Sequence, residues 1–465
     1  FAPRFKQYKI IYAMKNKLSY LISVACFLSY TSTFTSCVNG VDDEYLEQKI
    51  TEGTGSEEEG EELPDLNGEY SMQGDFDLKM ICNGDELEGQ KVVMAVDENN
   101  ETATITFSAL ETDLESVIGL IPGANLIQGM GLKYTGSCVI PGEKELTFTN
   151  VPLYKNGSSY IFKGSLIEPT YTMKFEGKMA DEKMSMEVNY ELTNQTLAGT
   201  WMLQKPNLEL PSPSMTPLWF DWDTDIQIRF GEINMPGLGN MSIDTYTPNE
   251  LQGLLYLAKM IGVFDAQQMI ADLLQSITAM PNGSLYATYA WDNDTSNPDR
   301  WSSNMSRNIV RYYYDEEKAD RLYLDINGQF LVNTIKSLVQ PSPGTRGAAE
   351  DLKALGTELI EFLKPALEKG IPCTYKLDGN KMSINIDGEF LLGALRLIAK
   401  VGNNEAALGF LMPLIQSEPS IAAYAPNIKI FLKRLPDLLT YKTEKGNGTF
   451  EGECKYVKIG LHLEK

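Results

Sequence analysis

The chain of 465 residues carries 40 basic and 63 acidic side chains, a formal net charge of −23 at pH 7. Such a surface repels the phosphates of nucleic acids and anionic headgroups, so a nucleic-acid partner is excluded. The length is sufficient for two or three domains, each able to bury a core of its own.

An N-terminal segment, residues 1–36, contains five basic and no acidic side chains. Its Met14-Lys15-Asn16-Lys17 is typical of the start and charged region of a signal peptide, which makes residues 1–13 upstream sequence. Residues 18–34 are apolar but too short and too polar for a good membrane-spanning helix. The following Phe34-Thr35-Ser36-Cys37 resembles the lipobox of bacterial lipoproteins, apart from Phe34 where Leu or Val is usual. The resemblance implies cleavage before Cys37 and stable membrane attachment through lipid on its thiol.

An acidic tether, residues 37–65, begins at this cysteine. Its last 25 residues contain eleven acids, one Lys and few apolar side chains. They cannot bury a core, and their mutual repulsion extends them. The cluster Asp42-Asp43-Glu44 resembles the surface-export signal of Bacteroidetes lipoproteins, and an ordinary acidic linker is the alternative interpretation. The resemblance implies an outer-membrane protein that faces the cell exterior.

Residues 66–195 are predicted to form a first β domain. Eight strands with short reversals are the number that closes a small antiparallel barrel. A short helix is expected near residues 110–130, and turn signals such as Asn156-Gly157 separate the strands. The β-like runs, several with clean apolar–polar alternation, cover residues 70–81, 91–96, 102–107, 132–139, 145–154, 159–166, 170–179 and 184–192.

A Gly-x-aromatic pattern opens both predicted domains. Leu66-Asn67-Gly68-Glu69-Tyr70 is echoed by Leu197-Ala198-Gly199-Thr200-Trp201. Gly-x-aromatic on a first strand resembles the opening of lipocalin-like (calycin) barrels, in which the Gly permits close approach and the ring fills the barrel floor. With the lipobox and the tether, the chain resembles uncharacterised Bacteroidetes surface lipoproteins with calycin-like domains. This resemblance implies a fold and a location, but no activity.

Residues 196–465 mix strands with helices, which predicts a second antiparallel β domain with several inserted amphipathic helices. The class is mainly β, and α+β overall. A segment that starts at Leu322 is repeated 60 residues later at Met382, each copy a strand that breaks at Asn/Asp-Gly and continues as a helix. The final strands, 448–454 and 455–463, are expected to close the sheet. Helices are expected at residues 251–261, 265–277, 348–368, 389–401, 405–416 and 420–435.

No catalytic constellation is evident. His462 is the sole histidine, which removes multi-histidine metal sites and also removes a Ser-His-Asp triad unless His462 itself serves. The acids are too evenly spread to single out a glycosidase pair. Two segments, 221–225 and 292–297, alternate oxygen ligands as calcium loops do, but both lack the glycine and the distal Glu, which favours acidic turns. We therefore predict a non-enzyme with no cofactor and no metal.

Four cysteines besides Cys37 belong to the exported part. Outside the cytoplasm they can form disulfides, and Cys82–Cys138 with Cys373–Cys454 is the pairing that we favour. Buried thiols are the alternative.

All five tryptophans lie within 101 residues. Aromatic plates beside carboxylates suit the apolar faces and hydroxyls of sugar rings, whereas core packing is the alternative role of Trp. The candidate ligand-binding residues are Trp219, Trp222, Trp291, Trp301, Asp223 and Asp292.

Two functions from different classes follow. The first is a non-catalytic binding module at the cell surface, for a glycan or an apolar small molecule. The second is a structural lipoprotein that docks on an outer-membrane transporter or another surface protein. Besides the membrane that holds the lipid, these ligands and proteins are the only partners that the sequence suggests.

Overall fold

Residues 1–64, which contain the predicted signal segment, Cys37 and all but the last residue of the predicted tether, lie outside the residues that the structure describes. So do the expected helix at 251–261 and most of those at 110–130 and 348–368. The structure is a computed structural model, and it describes residues 65–72, 74, 76–113, 133–180, 182–206, 216–222, 231–235, 239–243, 266–291, 294–303, 308–330, 358, 361–362, 364–417, 425–445 and 448–465.

The first sheet confirms the mainly β class. Its order, within the described residues, is β1-β4-β5-β8-β9-β10-β11-β2-β3, and β6 pairs only with β7. The strands are β1 (Gly68–Ser71), β2 (Asp77–Cys82), β3 (Asp85–Glu86), β4 (Gln90–Val96), β5 (Thr102–Ala109), β6 (Glu111–Asp113), β7 (Lys133–Thr135), β8 (Glu145–Asn156), β9 (Ser159–Ile167), β10 (Tyr171–Ala180) and β11 (Lys183–Leu192).

This first sheet curls upon itself without a full closing ladder. Neighbouring strands are antiparallel except β11 and β2, which run parallel. An isolated bridge between Tyr70 and Phe76 joins the two ends of the curl. The single strand predicted for 70–81 is therefore two strands, because the chain turns around Gly74 and β2 crosses to pair with β11 instead of continuing β1.

Aromatic rings fill the inner face of the first sheet. Burial alternates strictly along β10 and β11, as the sequence pattern predicts. Phe148 and Phe175 pack edge to face with ring centroids 4.6 Å apart. In the β9–β10 register Gly164 pairs with Phe175 and Gly177 with Phe162. Each phenylalanine covers the glycine opposite, since a Cβ at Gly177 would lie 2.1 Å from the Phe162 ring.

The second sheet is a closed barrel. Its eight strands follow the order β12-β16-β17-β19-β20-β21-β22-β25 in the described residues, and β25 pairs with β12 to complete the circle. The strands of the second part are β12 (Gly199–Leu203), β13 (Leu218–Trp222), β14 (Gly231–Met235), β15 (Gly239–Ile243), β16 (Leu274–Ala279), β17 (Ser284–Ala290), β18 (Trp301–Ser302), β19 (Val310–Tyr314), β20 (Arg321–Ile326), β21 (Ile371–Asp378), β22 (Lys381–Ile386), β23 (Thr440–Lys445), β24 (Gly448–Glu453) and β25 (Val457–Glu464).

The fully closed barrel thus lies in the second part, whereas the strand count had placed it in residues 66–195. The reason is the length of β25, whose eight residues pair with β22 along one edge and with both β12 and β13 along the other. The prediction that the final strands close the sheet is correct for β25. By contrast, β24 pairs with β23 alone among the described strands.

Four helices with defined bounds accompany the barrel, and helical residues also occur at 328–330, 358, 361–362 and 364–369. No helix of the described residues is long and apolar enough to cross a membrane. The helix predicted for 265–277 ends at Leu273, because Leu274 and Ile277 belong to β16, where Leu274 pairs with β17 and Ile277 pairs with both β12 and β17. Sheet pairing outweighs the helical spacing here. The helices are α1 (Ala266–Leu273), α2 (Gly388–Asn403), α3 (Glu405–Ser417) and α4 (Ala425–Leu439).

The internal repeat has the predicted strand-to-helix junction in both copies. After β20, the side chain of Asn327 accepts a hydrogen bond from the Phe330 amide at 2.9 Å. After β22, Asp387 accepts from the Phe390 amide at 3.3 Å and caps α2. Both residues satisfy amides that the first helical turn leaves without a helical acceptor.

The two Gly-x-aromatic segments form the same corner in the two sheets. The Tyr70 hydroxyl donates to the Leu66 carbonyl at 3.2 Å. The Trp201 indole N–H donates to the Leu197 carbonyl, also four residues earlier, at 2.7 Å. The polar end of each buried ring is therefore satisfied by its own entering chain.

A side chain lies closely over the glycine of each corner. Gly68 has φ +152°, and a Cβ there would lie 2.4 Å from the Phe76 ring. Gly199 has φ +125°, and a Cβ there would lie 3.2 Å from Lys465. The Lys465 ammonium sits 4.2 Å from the Trp201 ring centroid and donates at 2.8 Å to the carbonyl that precedes Gly199. Glycine is required at both places by conformation, and at Gly68 also by space.

The two sheets share one apolar core, and side chains of the second sheet bind main-chain carbonyls of the first. Asn308 donates to three carbonyls of the β2–β3 hairpin at 2.8 to 3.2 Å. Asn327 donates to the Glu88 carbonyl at 3.0 Å. These bonds satisfy carbonyls that face another sheet rather than water.

A buried ion pair lies at the centre of this contact. Arg311 and Asp325 are 2% and 3% exposed, with Nη2 to Oδ2 at 2.6 Å. Arg311 also donates to the carbonyls of Val139 and Cys138, and the Ser137 hydroxyl donates to Asp325 at 3.0 Å. Burial lowers the pKa of Arg311, but its interactions with Asp325, Tyr190 and Cys82 together outweigh burial and leave the pKa above its usual value. The guanidinium therefore remains charged inside the protein.

Candidate functional site

The predicted tryptophan set is divided between two regions of the barrel. Trp219 lies on β13, where it stacks on His462 with ring centroids 5.8 Å apart and 13° between the planes. Trp222 ends β13, but its side chain, like Asp223 and Asp292, lies outside the described residues. Trp291 and Trp301 lie on one hairpin, that of β17 and β18.

The β17–β18 hairpin sends its two tryptophans to opposite faces. Ala290 pairs with Trp301, and the Trp291 amide donates to the Arg300 carbonyl at 2.8 Å. Residues paired across antiparallel strands share a face, and neighbours along a strand alternate. Trp291 is 50% exposed, whereas Trp301 is only partly exposed.

A loop with internal hydrogen bonds fixes the exposed Trp291 ring. The indole N–H donates to the Asp299 carbonyl at 2.9 Å, so both the main chain and the ring of Trp291 are bound to the loop. Asp294 accepts from the Ser296 amide and hydroxyl, and Asn297 accepts from the Asp299 amide. The ring therefore presents an apolar plate to solvent with little rotamer entropy left to lose on binding.

The charge of Arg300 is directed into the protein. Its guanidinium lies 4.6 Å from the Trp301 ring centroid and 3.3 Å from the Asp272 carboxylate on α1. The Arg300 side chain is only 8% exposed. This contact holds the end of the loop against the helix.

Sequence reasoning found Trp291 and Trp301 but missed Arg300, Asp299 and Asn297. Asp-x-Ser and Asn-Pro-Asp are turn-forming sequences, and they were the available signal for a rigid loop. The contact of Arg300 with Asp272 had no local signal, because the two residues lie on different elements.

A shallow groove of about 500 Å³ lies on the first sheet across β9, β10 and β11. Lys163 pairs directly opposite Glu176, and Lys174 opposite Asn189. No ion pair forms among these exposed side chains within the described residues. We therefore interpret the groove as a charged, solvent-exposed surface of the sheet.

The remaining cysteines are buried thiols that form no disulfide within the described residues, so neither Cys82–Cys138 nor Cys373–Cys454 is bonded. Burial raises the pKa of Cys82, Cys138 and Cys373 to about 12. Thiols that remain protonated are poor nucleophiles and poor metal ligands.

Metal ligands do not converge either. No group of three or more His, Cys, Asp or Glu able to hold a metal ion occurs in the part of the chain that the structure describes. The chemistry that the described residues offer at Trp291 is stacking and hydrogen bonding.

Comparison of the chain with protein-family models, with curated proteins and with solved structures finds no match.

Proposed function

We propose that this protein is an exported lipoprotein whose folded part is a non-catalytic binding module for a glycan. The observation that carries the proposal is the exposed, immobilised ring of Trp291. Large aromatic side chains are buried on average. Trp291 instead leaves half of its surface exposed to water, while its indole N–H is bound within the loop.

The surroundings of Trp291 support a sugar as the ligand. A pyranose offers apolar C–H faces for stacking and a rim of hydroxyls for hydrogen bonds. The loop beside the ring supplies the side chains of Asp294, Asn297 and Asp299, which are exposed or partly exposed. An aromatic plate with polar groups at its edge matches this combination.

An apolar molecule inside a barrel is less well supported. Side chains occupy the inner faces of both sheets in the described residues. Phe162 is 0% exposed in the first sheet, and Trp201, Tyr312 and Leu463 are 2%, 1% and 0% exposed in the second. Interiors packed in this way leave an external site as the better candidate.

The proposal is tested by glycan-array screening and calorimetry on the full chain with Cys37→Ser. We expect Trp291→Ala to weaken binding of any retained glycan at least about tenfold, which corresponds to about 1.4 kcal/mol. Tyr154→Ala removes a ring that is 56% exposed on β8 of the other sheet and is the matched control. The melting temperature of both variants should change little.

Two results would oppose the proposal. The first is the absence of any retained glycan. The second is equal loss of binding in the Trp291 and Tyr154 variants.

The anchor is a separate part of the proposal. It is supported by the basic N-terminal segment, the apolar stretch and the box that ends in Cys37, and the acidic tether supports a position on the outer face of an outer membrane. We expect Cys37→Ala to abolish incorporation of labelled fatty acid and to release the protein from the membrane fraction. Protease digestion of intact cells tests the outward orientation, since an inward-facing protein would survive.

A further inference from the structure

We infer that the ligand of the Trp291 site is an uncharged glycan, and that acidic glycans are rejected. The inference rests on the proposed glycan-binding function and deepens it. Its basis is the distribution of charge around the exposed ring.

The loop that holds the Trp291 ring carries two exposed carboxyl side chains, those of Asp294 and Asp299. Asp299, whose carbonyl holds the indole N–H, has an exposed side chain that makes no hydrogen bond within the described residues. Hydrogen bonds from the Ser296 side chain and amide hold the pKa of Asp294 below its usual value, so this exposed group is charged at neutral pH. A carboxylated or sulfated sugar stacked on the ring would lie beside this acidic loop and be repelled by it.

No compensating positive charge is offered by the hairpin or its loop. Between Ser284 and Ser303 the sequence contains a single basic residue, Arg300. Its guanidinium is turned away from solvent, against Trp301 and Asp272. Recognition of carboxylate or sulfate normally uses an exposed Arg in bidentate contact.

The same polar groups suit neutral sugars. Carboxylates and the Asn297 amide oxygen accept hydrogen bonds from hydroxyls, and hydroxyls are donors on every neutral pyranose. The site would therefore favour neutral sugars both by hydrogen bonding to their hydroxyls and by repelling acidic sugars.

The experiment is affinity electrophoresis of the full chain with Cys37→Ser through gels that contain soluble polysaccharides. The neutral set is mannan, xyloglucan, arabinogalactan and mixed-linkage β-glucan. The anionic set is polygalacturonate, alginate and chondroitin sulfate. Each neutral polysaccharide that retards the protein is also tested after oxidation of its primary hydroxyls to carboxylates, which changes charge while keeping the backbone.

We expect retardation by at least one neutral polysaccharide and at least about tenfold weaker binding of its oxidised form at low salt. The difference should narrow as salt shortens the Debye length from about 30 Å at 0.01 M to about 8 Å at 0.15 M. Asp299→Asn should strengthen binding of the oxidised form, whereas Asp378→Asn, an exposed acid at the end of β21, should not.

The outcomes separate the two claims. Binding of anionic polysaccharides as tight as that of neutral ones overturns the inference and leaves glycan binding intact. Binding of neither set overturns the proposed function itself. An Asp299→Asn variant that still excludes the oxidised form as strongly as the parent also overturns the inference.

Discussion

The buried pair of Arg311 and Asp325 gives the sharpest quantitative expectation for the fold. Asp325→Asn removes the carboxylate that accepts from Arg311 Nε at 3.2 Å and from Nη2 at 2.6 Å, while the guanidinium stays buried. Breaking a buried pair by removing one partner costs about 3–5 kcal/mol. With about 400 folded residues at about 2.1 cal/mol/K each, the unfolding entropy is about 0.8 kcal/mol/K, so the melting temperature should fall by about 4–6 °C.

Urea unfolding followed by far-UV circular dichroism measures the loss. The control is Glu453→Gln, which breaks the ion pair between Glu453 and Arg396. Both side chains of this pair are exposed, Arg396 by 50% and Glu453 by 75%. An exposed pair contributes about 0–1 kcal/mol. Since one apolar core spans both sheets, both variants should still unfold in a single transition. If Asp325→Asn costs no more than Glu453→Gln, the ion pair does not hold the sheets together.

Three further substitutions test the contact of Lys465 with Trp201, the packing of Phe162 over Gly177, and the titration of the Glu143 carboxyl group. Lys465→Ala should lower stability by about 1–2 kcal/mol, because it loses the contact over Trp201 and a charged hydrogen bond; Lys465→Arg should recover most of this in thermal melts. Gly177→Ala should cost about 1–3 kcal/mol in urea unfolding, since its Cβ would lie 2.1 Å from a phenylalanine ring. Burial, and then Glu316, raises the pKa of Glu143. Its contribution to stability is therefore present at low pH and lost as pH rises through that raised pKa, so Glu143→Gln should raise the melting temperature at pH 7.5 but not at pH 4.

The local rules of the fold were readable from sequence. Alternation on β10 and β11 indicated which residues face inward, because one face of each strand is buried. The Gly-x-aromatic segments marked the first strand of each sheet. The repeat marked both strand-to-helix junctions, since Asn327 and Asp387 cap from the same position in each copy.

What the sequence could not supply depends on contacts between distant residues. The order of strands, with β2 beside β11 and β25 beside β12, joins segments far apart in the chain. The change from helix to strand at Leu274 needs partners on both sides. The burial of Arg311 reverses the usual expectation for a charged residue, and only Asp325 and the carbonyls of the other sheet explain it.

At the candidate site, too, the sequence predicts which residues are of interest but not how they are placed. The sequence identified Trp291 as a ligand-binding candidate, but composition cannot tell an exposed ring from a core ring. The exposure of Trp291 follows from its position beyond the last pair of the β17–β18 ladder. Trp219, chosen on the same grounds, instead packs against His462.

The two corners differ in one respect that predicts how the protein folds. Phe76, which covers the first corner, lies close to Tyr70 in sequence, whereas Lys465 is 267 residues from the carbonyl that it binds. The second contact can form only after β25 closes the barrel, so it belongs to the late part of folding. Lys465→Ala should therefore accelerate unfolding and leave the folding rate unchanged, while Phe76→Leu should also slow folding. Stopped-flow chevron plots measure both rates. A Lys465→Ala variant that folds more slowly and unfolds at the parent rate would show that the barrel closes before the rest of the sheet is formed.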